Sequence, residues 1–265
     1  VKRAVLTNSG SSALLVAMTA LKLPKGSKVI IPAVNFPTAY NAILQCGHIP
    51  VVVDVDIKTL NLSLEEVEKA MIEHPDIKAV IAVDIAGNPV DLITLREIVG
   101  KDVKIILDDC DGYGTLLKGN FIETYADISC VSFHAAHIIT MGEGGAVLTN
   151  DEELGTIALK LREWGRASGT DDIYDYPGFP DDYKERYVYE EIGFNMKPLE
   201  LQCAMGRVQL KRLPEFRRKR FINHFRMSQV FSLLPKFDVI ECIDDTTPCW
   251  FSFPILCRGV KRKLV

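Results

Sequence analysis

No run of apolar residues in this chain approaches the length needed to span a bilayer. The first residues, Val1-Lys2-Arg3-Ala4-Val5-Leu6, also lack the long apolar stretch of a secretory leader. Neither sign of charge predominates: 31 Lys and Arg are mixed with 35 Asp and Glu, for a formal net charge of −4. There is no basic stripe of the kind that neutralises phosphates, so nucleic acid is not an expected partner. No internal repeat or low-complexity tract is present, which sets aside solenoids and disordered linkers. The seven cysteines are odd in number and widely spaced, and several lie in apolar runs. They are expected as free thiols in a reducing cytoplasm rather than as a disulfide framework. The first residue is not methionine, and the chain stops at Val265 just after the apolar run 250–256, so further segments are expected at both ends.

What is present is enough apolar material, 48% of 265 residues, to bury a full core. Short β-branched runs at 28–31, 50–55, 79–84, 104–108, 128–133 and 146–148 alternate with helix-length amphipathic segments. That is the pattern of parallel strands joined by crossover helices, and several of the runs are apolar on both faces, as strands covered on two sides should be. Asn8-Ser9-Gly10 opens a helix expected to run from 11 to 23. Ser63 with Glu66 has the spacing of a capping box before a helix to about 73. A helix from 151 to 164 leads into a polar, aromatic excursion loop at 165–191, after which helical spacing returns from 199 to about 234. Pro214 is expected to break that last helix, and the run Arg217-Arg218-Lys219-Arg220 to form a solvated face. The division expected is a large domain over 1–210, then a connecting helix and the start of a smaller C-terminal domain over 211–265.

Three clusters carry chemistry. In Thr7-Asn8-Ser9-Gly10-Ser11-Ser12, a loop enters a helix, so free amides, the helix dipole and hydroxyls converge on one anion-sized spot; the same residues are also ordinary caps. In Asp108-Asp109-Cys110-Asp111-Gly112, three carboxylates stand at the carboxyl end of a strand, where open α/β sheets bind ligands. A carboxylate buried there needs a cationic or hydrogen-bonding partner, and a protonated pyridine nitrogen and a metal ion both qualify. The third, Ser132-Phe133-His134-Ala135-Ala136-His137, follows another strand and leads into the Gly-rich turn Gly142-Glu143-Gly144-Gly145. A lone histidine among apolar residues is more often structural than catalytic.

The third segment resembles the cofactor-lysine segment of the DegT/DnrJ/EryC1/StrS sugar aminotransferase family, in which a serine binds the cofactor phosphate and a lysine five residues later bonds to the cofactor. Ser132 matches the serine, His137 stands at the lysine position, and no lysine occurs between Lys118 and Lys160. The resemblance extends to Gly193-Phe194-Asn195-Met196-Lys197 and to the segment 200–210. It implies an α/β fold of the type I pyridoxal-phosphate aminotransferases, with a mostly parallel central sheet, flanking helices and part of a smaller C-terminal domain. Histidine for lysine is similar to the branch of nucleotide-sugar 3-dehydratases, which implies dehydration at C-3 of a nucleotide-linked 4-keto-6-deoxyhexose by non-covalently held pyridoxamine 5'-phosphate. Glutamate is the implied amino donor that regenerates this cofactor from pyridoxal 5'-phosphate, in the biosynthesis of 3,6-dideoxy sugars for cell-surface polysaccharide.

By the same resemblance, Gly10, Ser11, Ser12 and Ser132 would hold the phosphate, Asp108 would pair with the pyridine nitrogen and Phe36 would stack on the ring. Asp111 falls near the phenolic oxygen, where aminotransferases carry Gln or His, a departure the dehydratases share. His137 would act as acid and base, and Asn195 would reach the phosphate in the neighbouring subunit, implying a homodimer with composite sites. An iron–sulfur cluster, present in the CDP-sugar type of this branch, is not expected. Cys110 is retained, but Trp164-Gly165-Arg166 is followed by Ala167-Ser168-Gly169-Thr170, and no cysteine lies between Cys130 and Cys203. This favours the GDP-sugar type without deciding the nucleotide. An ordinary aminotransferase and an inactive binding protein of the same fold are the competing expectations, the first opposed by the missing lysine.

Overall fold

The structure, a computed structural model, describes residues 1–167 and 187–259. A seven-stranded sheet forms its centre. The strands are β1 (Arg3–Thr7), β2 (Lys28–Pro32), β3 (Ile49–Val53), β4 (Ile77–Val83), β5 (Lys104–Asp108), β8 (Ile128–Ser132) and β9 (Gly145–Thr149). The short strands β6 (Leu116–Leu117) and β7 (Asn120–Phe121) lie between β5 and β8 in the chain. The order across the sheet is β1-β9-β8-β5-β4-β2-β3. β3, β2, β4, β5 and β8 run parallel, while β9 is antiparallel to both β8 and β1. The expected α/β class and mostly parallel sheet are therefore found. β1, which the apolar-run pattern did not single out, closes one edge.

Among the described residues there are six α-helices: α1 (Gly10–Ala20), α2 (Pro37–Gln45), α3 (Leu64–Glu73), α4 (Leu92–Val99), α5 (Glu152–Arg162) and α6 (Glu200–Phe231). Successive residues of a strand serve opposite faces of the sheet. Ile106 packs in the core beneath α1, α2 and α5, whereas Ile105 and Leu107 pack in the core beneath α3 and α4. Side chains such as Ile81, Ile106 and Ile128 are fully buried, each contributing roughly 1.5–3 kcal/mol by removal from water. Of the expected capping box before α3, one half forms. Ser63 Oγ accepts from Glu66 N at 3.3 Å, but the Glu66 carboxylate turns to Lys69, a 2.8 Å ion pair that competes for it.

Two expectations for the C-terminal part are corrected. α6 is not broken at Pro214: it runs 32 residues with the proline inside. Leu213 is buried against Gly114 and Phe216 packs on the same cluster, so contacts on both sides of the proline hold the helix, while Pro214 itself is exposed. The run 217–220 is not wholly solvated. Residues three apart share a helix face, and Arg217 Nη1 donates to Gly114 O (3.0 Å) while Arg220 Nη1 donates to Trp250 O (2.9 Å). Only Arg218 and Lys219 are exposed. The segment after α6 is fastened to earlier parts of the chain. β10 (Phe237–Val239) pairs with β12 (Ile255–Cys257), β11 (Thr246–Thr247) pairs with β6, and Cys249 is buried. Most of the excursion loop expected at 165–191 lies outside the described residues. Among the described residues, no helix is long and apolar enough to cross a membrane.

Pro214 has no N–H for the Leu210 carbonyl, and its ring crowds that turn. Replacement by alanine at this exposed position is expected to stabilise the protein by roughly 1–3 kcal/mol. The check is the urea midpoint, which should rise with the slope of the transition unchanged.

Candidate active site

The register of the sheet places the relevant strand ends in two rows, two residues apart. Val83 is opposite Asp108, Asp108 is opposite Cys130, and Ser132 and Thr7 are both opposite Gly145. By strand alternation, Asp108 and Ser132 fall on the same face as Ile106 and Cys130, the face that α1 covers. Ser9 caps α1, its Oγ accepting from Ser12 N at 3.1 Å. Ser12 Oγ donates to Asn8 Oδ1 (2.6 Å), and Ser11 Oγ donates to Thr38 Oγ1 (3.1 Å), which ties the start of α2 to the start of α1. At Gly10 a Cβ would come within 2.7 Å of Ser132 Cβ and 3.0 Å of Cys110 Sγ, so only glycine allows the helix to begin this close to the strand ends. Gly10, Ser132 and Cys110 are thereby brought together, with the helix N-terminus and its hydroxyls beside them.

Asp108 is buried at the end of β5. Burial pushes its carboxyl up to about 6, partly offset by hydrogen bonding from Cys110, whose N–H lies 3.3 Å from Oδ1. On the opposite face are three further buried carboxyls, Asp84, Asp109 and Glu123. Burial is the main cause that raises each of them, Asp84 to about 8, and Asp109 is raised further by the charges of Glu123 and Asp84. Carboxyls packed this way share protons, the protonated member donating to its neighbour. One Asp84 oxygen also accepts from Val90 N at 2.9 Å.

His137 sits on the turn after β8, its N–H donating to His134 O at 3.0 Å. Its Nε2 is 3.8 Å from Asp111 Oδ1, and the other Asp111 oxygen accepts from Ala86 N at 3.2 Å. The Phe251 ring meets the imidazole edge to face, with centroids 5.5 Å apart. Burial holds His137 below the ordinary imidazole value, against the pull of Asp111, so the ring is a neutral base at pH 7. His137 Nδ1 is buried and meets no hydrogen-bond partner among the described residues. Phe36, expected near the same site, is 69% exposed immediately before α2. Asn195 is exposed and bridged to Glu163, and none of the described hydrogen bonds links it to His137, Asp108 or Ser132.

These residues fit a phosphorylated pyridine. The helix start at Gly10 is an anion cradle, and the buried Asp108 has no ion pair among the described residues, as expected of a carboxylate awaiting a pyridinium proton. The neutral His137, close to Asp111, has a ring nitrogen to spare. Phe251, Asp84 and Glu123 escaped the sequence reading. Asp84 carries the signal that identified Asp108, an acid at a strand's carboxyl end, but nothing local marks Phe251.

The whole chain, residues 1–265, matches the DegT/DnrJ/EryC1/StrS aminotransferase family. It is 38% identical over 290 residues to the lipopolysaccharide biosynthesis protein RfbH of Salmonella typhimurium, an alignment covering 99% of this chain and 65% of that protein. It is 35% identical over 267 residues to the GDP-4-keto-6-deoxy-D-mannose 3-dehydratase of Yersinia pseudotuberculosis, covering 97% and 67%. A crystal structure of GDP-4-keto-6-deoxymannose-3-dehydratase with a trapped PLP-glutamate geminal diamine superposes with a TM-score of 0.90 at 31% identity, over 98% of this chain and 70% of that one. The chain thus spans about two thirds of the length of these relatives. Its architecture is that of the pyridoxal-phosphate-dependent aminotransferases, and the chain belongs to the DegT/DnrJ/EryC1/StrS family.

Proposed function

We propose that the protein is a pyridoxamine-phosphate-dependent 3-dehydratase of a nucleotide-linked 4-keto-6-deoxyhexose. The observation that carries this is His137, a neutral, half-buried imidazole beside Asp111, at the place where a lysine would bond to the cofactor. Both the Yersinia enzyme and the superposed structure bear the name of such a dehydratase, which supports the substrate class. The bound cofactor supplies an amine that condenses with the substrate's ketone and a ring that accepts the electron pair.

The remaining work falls to side chains of this chain. The amides at the start of α1, with Ser11, Ser12 and Ser132, bind the phosphate, and Gly10 admits it. Asp108 would keep the pyridine nitrogen protonated, Phe36 would cover the ring, and Asp111 would serve the phenolic oxygen. His137 takes the proton from the cofactor's methylene carbon and returns one to the C-3 hydroxyl as it leaves, a sequence suited to a group that titrates near neutrality. An imidazole forms no lasting bond with the cofactor, so it is free for both transfers.

Glutamate is the proposed amino donor, supported by the glutamate adduct in the related structure. Asn195 is proposed to complete a partner subunit's phosphate site in a homodimer. Its exposure and the exposed apolar side chains Leu201, Met205 and Val208 of α6 favour this reading. Residues 1–210 form the proposed cofactor domain, with 211–265 as the connecting helix and the start of the smaller one. The seven free thiols suit a cytoplasmic location.

Turnover of GDP- and CDP-linked 4-keto-6-deoxy sugars with pyridoxamine phosphate and glutamate tests the proposal; release of amino sugar instead of dehydrated product would refute it. His137→Lys is expected to abolish dehydration and to leave a borohydride-stable adduct on residue 137, read by peptide mass, whereas the wild-type protein should show none. Asp108→Asn separates stability from catalysis. The folded-state value of about 6 lies above the ordinary 3.8, so this group's stabilisation is full below about pH 4 and is lost as pH rises through 6. After removal of cofactor, the variant should be more stable than wild type at pH 8 by on the order of 3 kcal/mol, with the two converging at pH 4 in urea titrations. Its turnover should be lost at every pH.

A further inference from the structure

The loop that carries His137 does not by itself fix the imidazole. Four groups face that ring: Asp111 at 3.8 Å, the His134 ring at 5.7 Å between centroids, Glu143, which pairs with His134 at 2.8 Å, and Phe251. Phe251 alone comes from the segment after α6, and that segment is held at several points. Arg220 Nη1 donates to Trp250 O (2.9 Å) and to Phe251 O (3.0 Å). One turn along α6, the His224 ring stacks on Trp250 at 3.7 Å between centroids and 4° between planes. On the other side Phe251 N donates to Ala86 O at 2.9 Å. At Gly87 a Cβ would lie 2.6 Å from Phe251 N and 2.8 Å from Cys249 O, so the two segments meet backbone to backbone.

Ala86 itself has φ 58°, a left-handed conformation that a non-glycine residue keeps only when its surroundings impose it. Here both of its backbone groups are engaged: its carbonyl receives Phe251 N and its N–H donates to Asp111 Oδ2. The contacts form a closed circuit from His137 to Phe251, to Ala86, to Asp111 and back to His137.

We propose that Phe251 is a positioning residue for His137, fastened by Arg220, so that the start of the C-terminal segment sets the orientation and hydration of the imidazole. This rests on the reading of His137 as the proton-transferring base, but its test does not. The ring of Phe251 keeps water from one side of the imidazole and so disfavours its charged form. Loss of that ring, or of the guanidinium that seats it, admits water.

The five histidines of the protein as purified can be titrated by NMR, with His137 assigned by its absence in His137→Asn. In Phe251→Leu and in Arg220→Gln the His137 midpoint should move upward. Phe253→Leu is the control, because that ring packs on His224 (4.9 Å) and Phe231 (5.4 Å) in the same segment. It should leave His137 unmoved. Where dehydration is measurable, Phe251→Leu should lower kcat by about 10-fold or more with KM little changed, as for a misplaced base. The acid limb of its pH profile should move upward with the NMR midpoint. An unmoved His137 midpoint in both Phe251→Leu and Arg220→Gln overturns the proposal, as does an equal movement in Phe253→Leu. A shifted titration with no dehydration of any nucleotide sugar sinks the functional reading and keeps the positioning role; dehydration with an unmoved titration does the reverse.

Discussion

The site depends on how closely the first turn of α1 can approach the end of β8. With Gly10 set against Ser132 and Cys110, the helix starts where the strands stop, and the amides and hydroxyls of residues 9–12 open beside the carboxyl end of β5. A side chain at residue 10 would push the helix back and separate the anion cradle from Asp108. Everything that makes the cradle useful is therefore secondary to one backbone-to-side-chain contact. The sheet register that puts Asp108 and Ser132 on the face of α1 is what makes the contact possible.

Burial then determines the chemistry of each group in that space. Asp108 is driven toward its neutral form by desolvation, and so is His137, in the opposite direction of charge. A carboxyl and an imidazole whose surroundings both disfavour the charged form respond strongly to any proton or charge brought beside them. Asp111 links the two halves of the arrangement, one oxygen turned to His137 and the other to the loop after β4.

Much of this is legible in the residues alone. Buried strands of a parallel sheet are apolar on both faces, so β2, β4, β5 and β8 stand out, and acids or serines at their carboxyl ends mark the site. Other elements carry weaker signals. β1 begins at Arg3 and buries only Val5 and Thr7, so its own pattern is weak and its place is set by pairing with β9. α2 has no side-chain cap; Phe36 precedes it and only Pro37 announces it. The basic run 217–220 has the pattern of surface, because nothing local tells which arginines of an exposed helix face inward. Arg220 and Phe251 become informative only when α6 is laid across the body, a long-range packing outcome that no short window contains.

The carboxyl group of three, Asp84, Asp109 and Glu123, has a consequence for the molecule as a whole. Burial pushes all three toward the protonated form, and Asp84, raised to about 8, keeps its proton inside the fold at neutral pH. The folded chain is accordingly less anionic at neutral pH than the formal −4. Unfolding releases that proton to the solvent. The heat absorbed on melting therefore includes the ionisation heat of whichever buffer receives it, and calorimetric enthalpies taken in phosphate and in an amine buffer will differ by that amount.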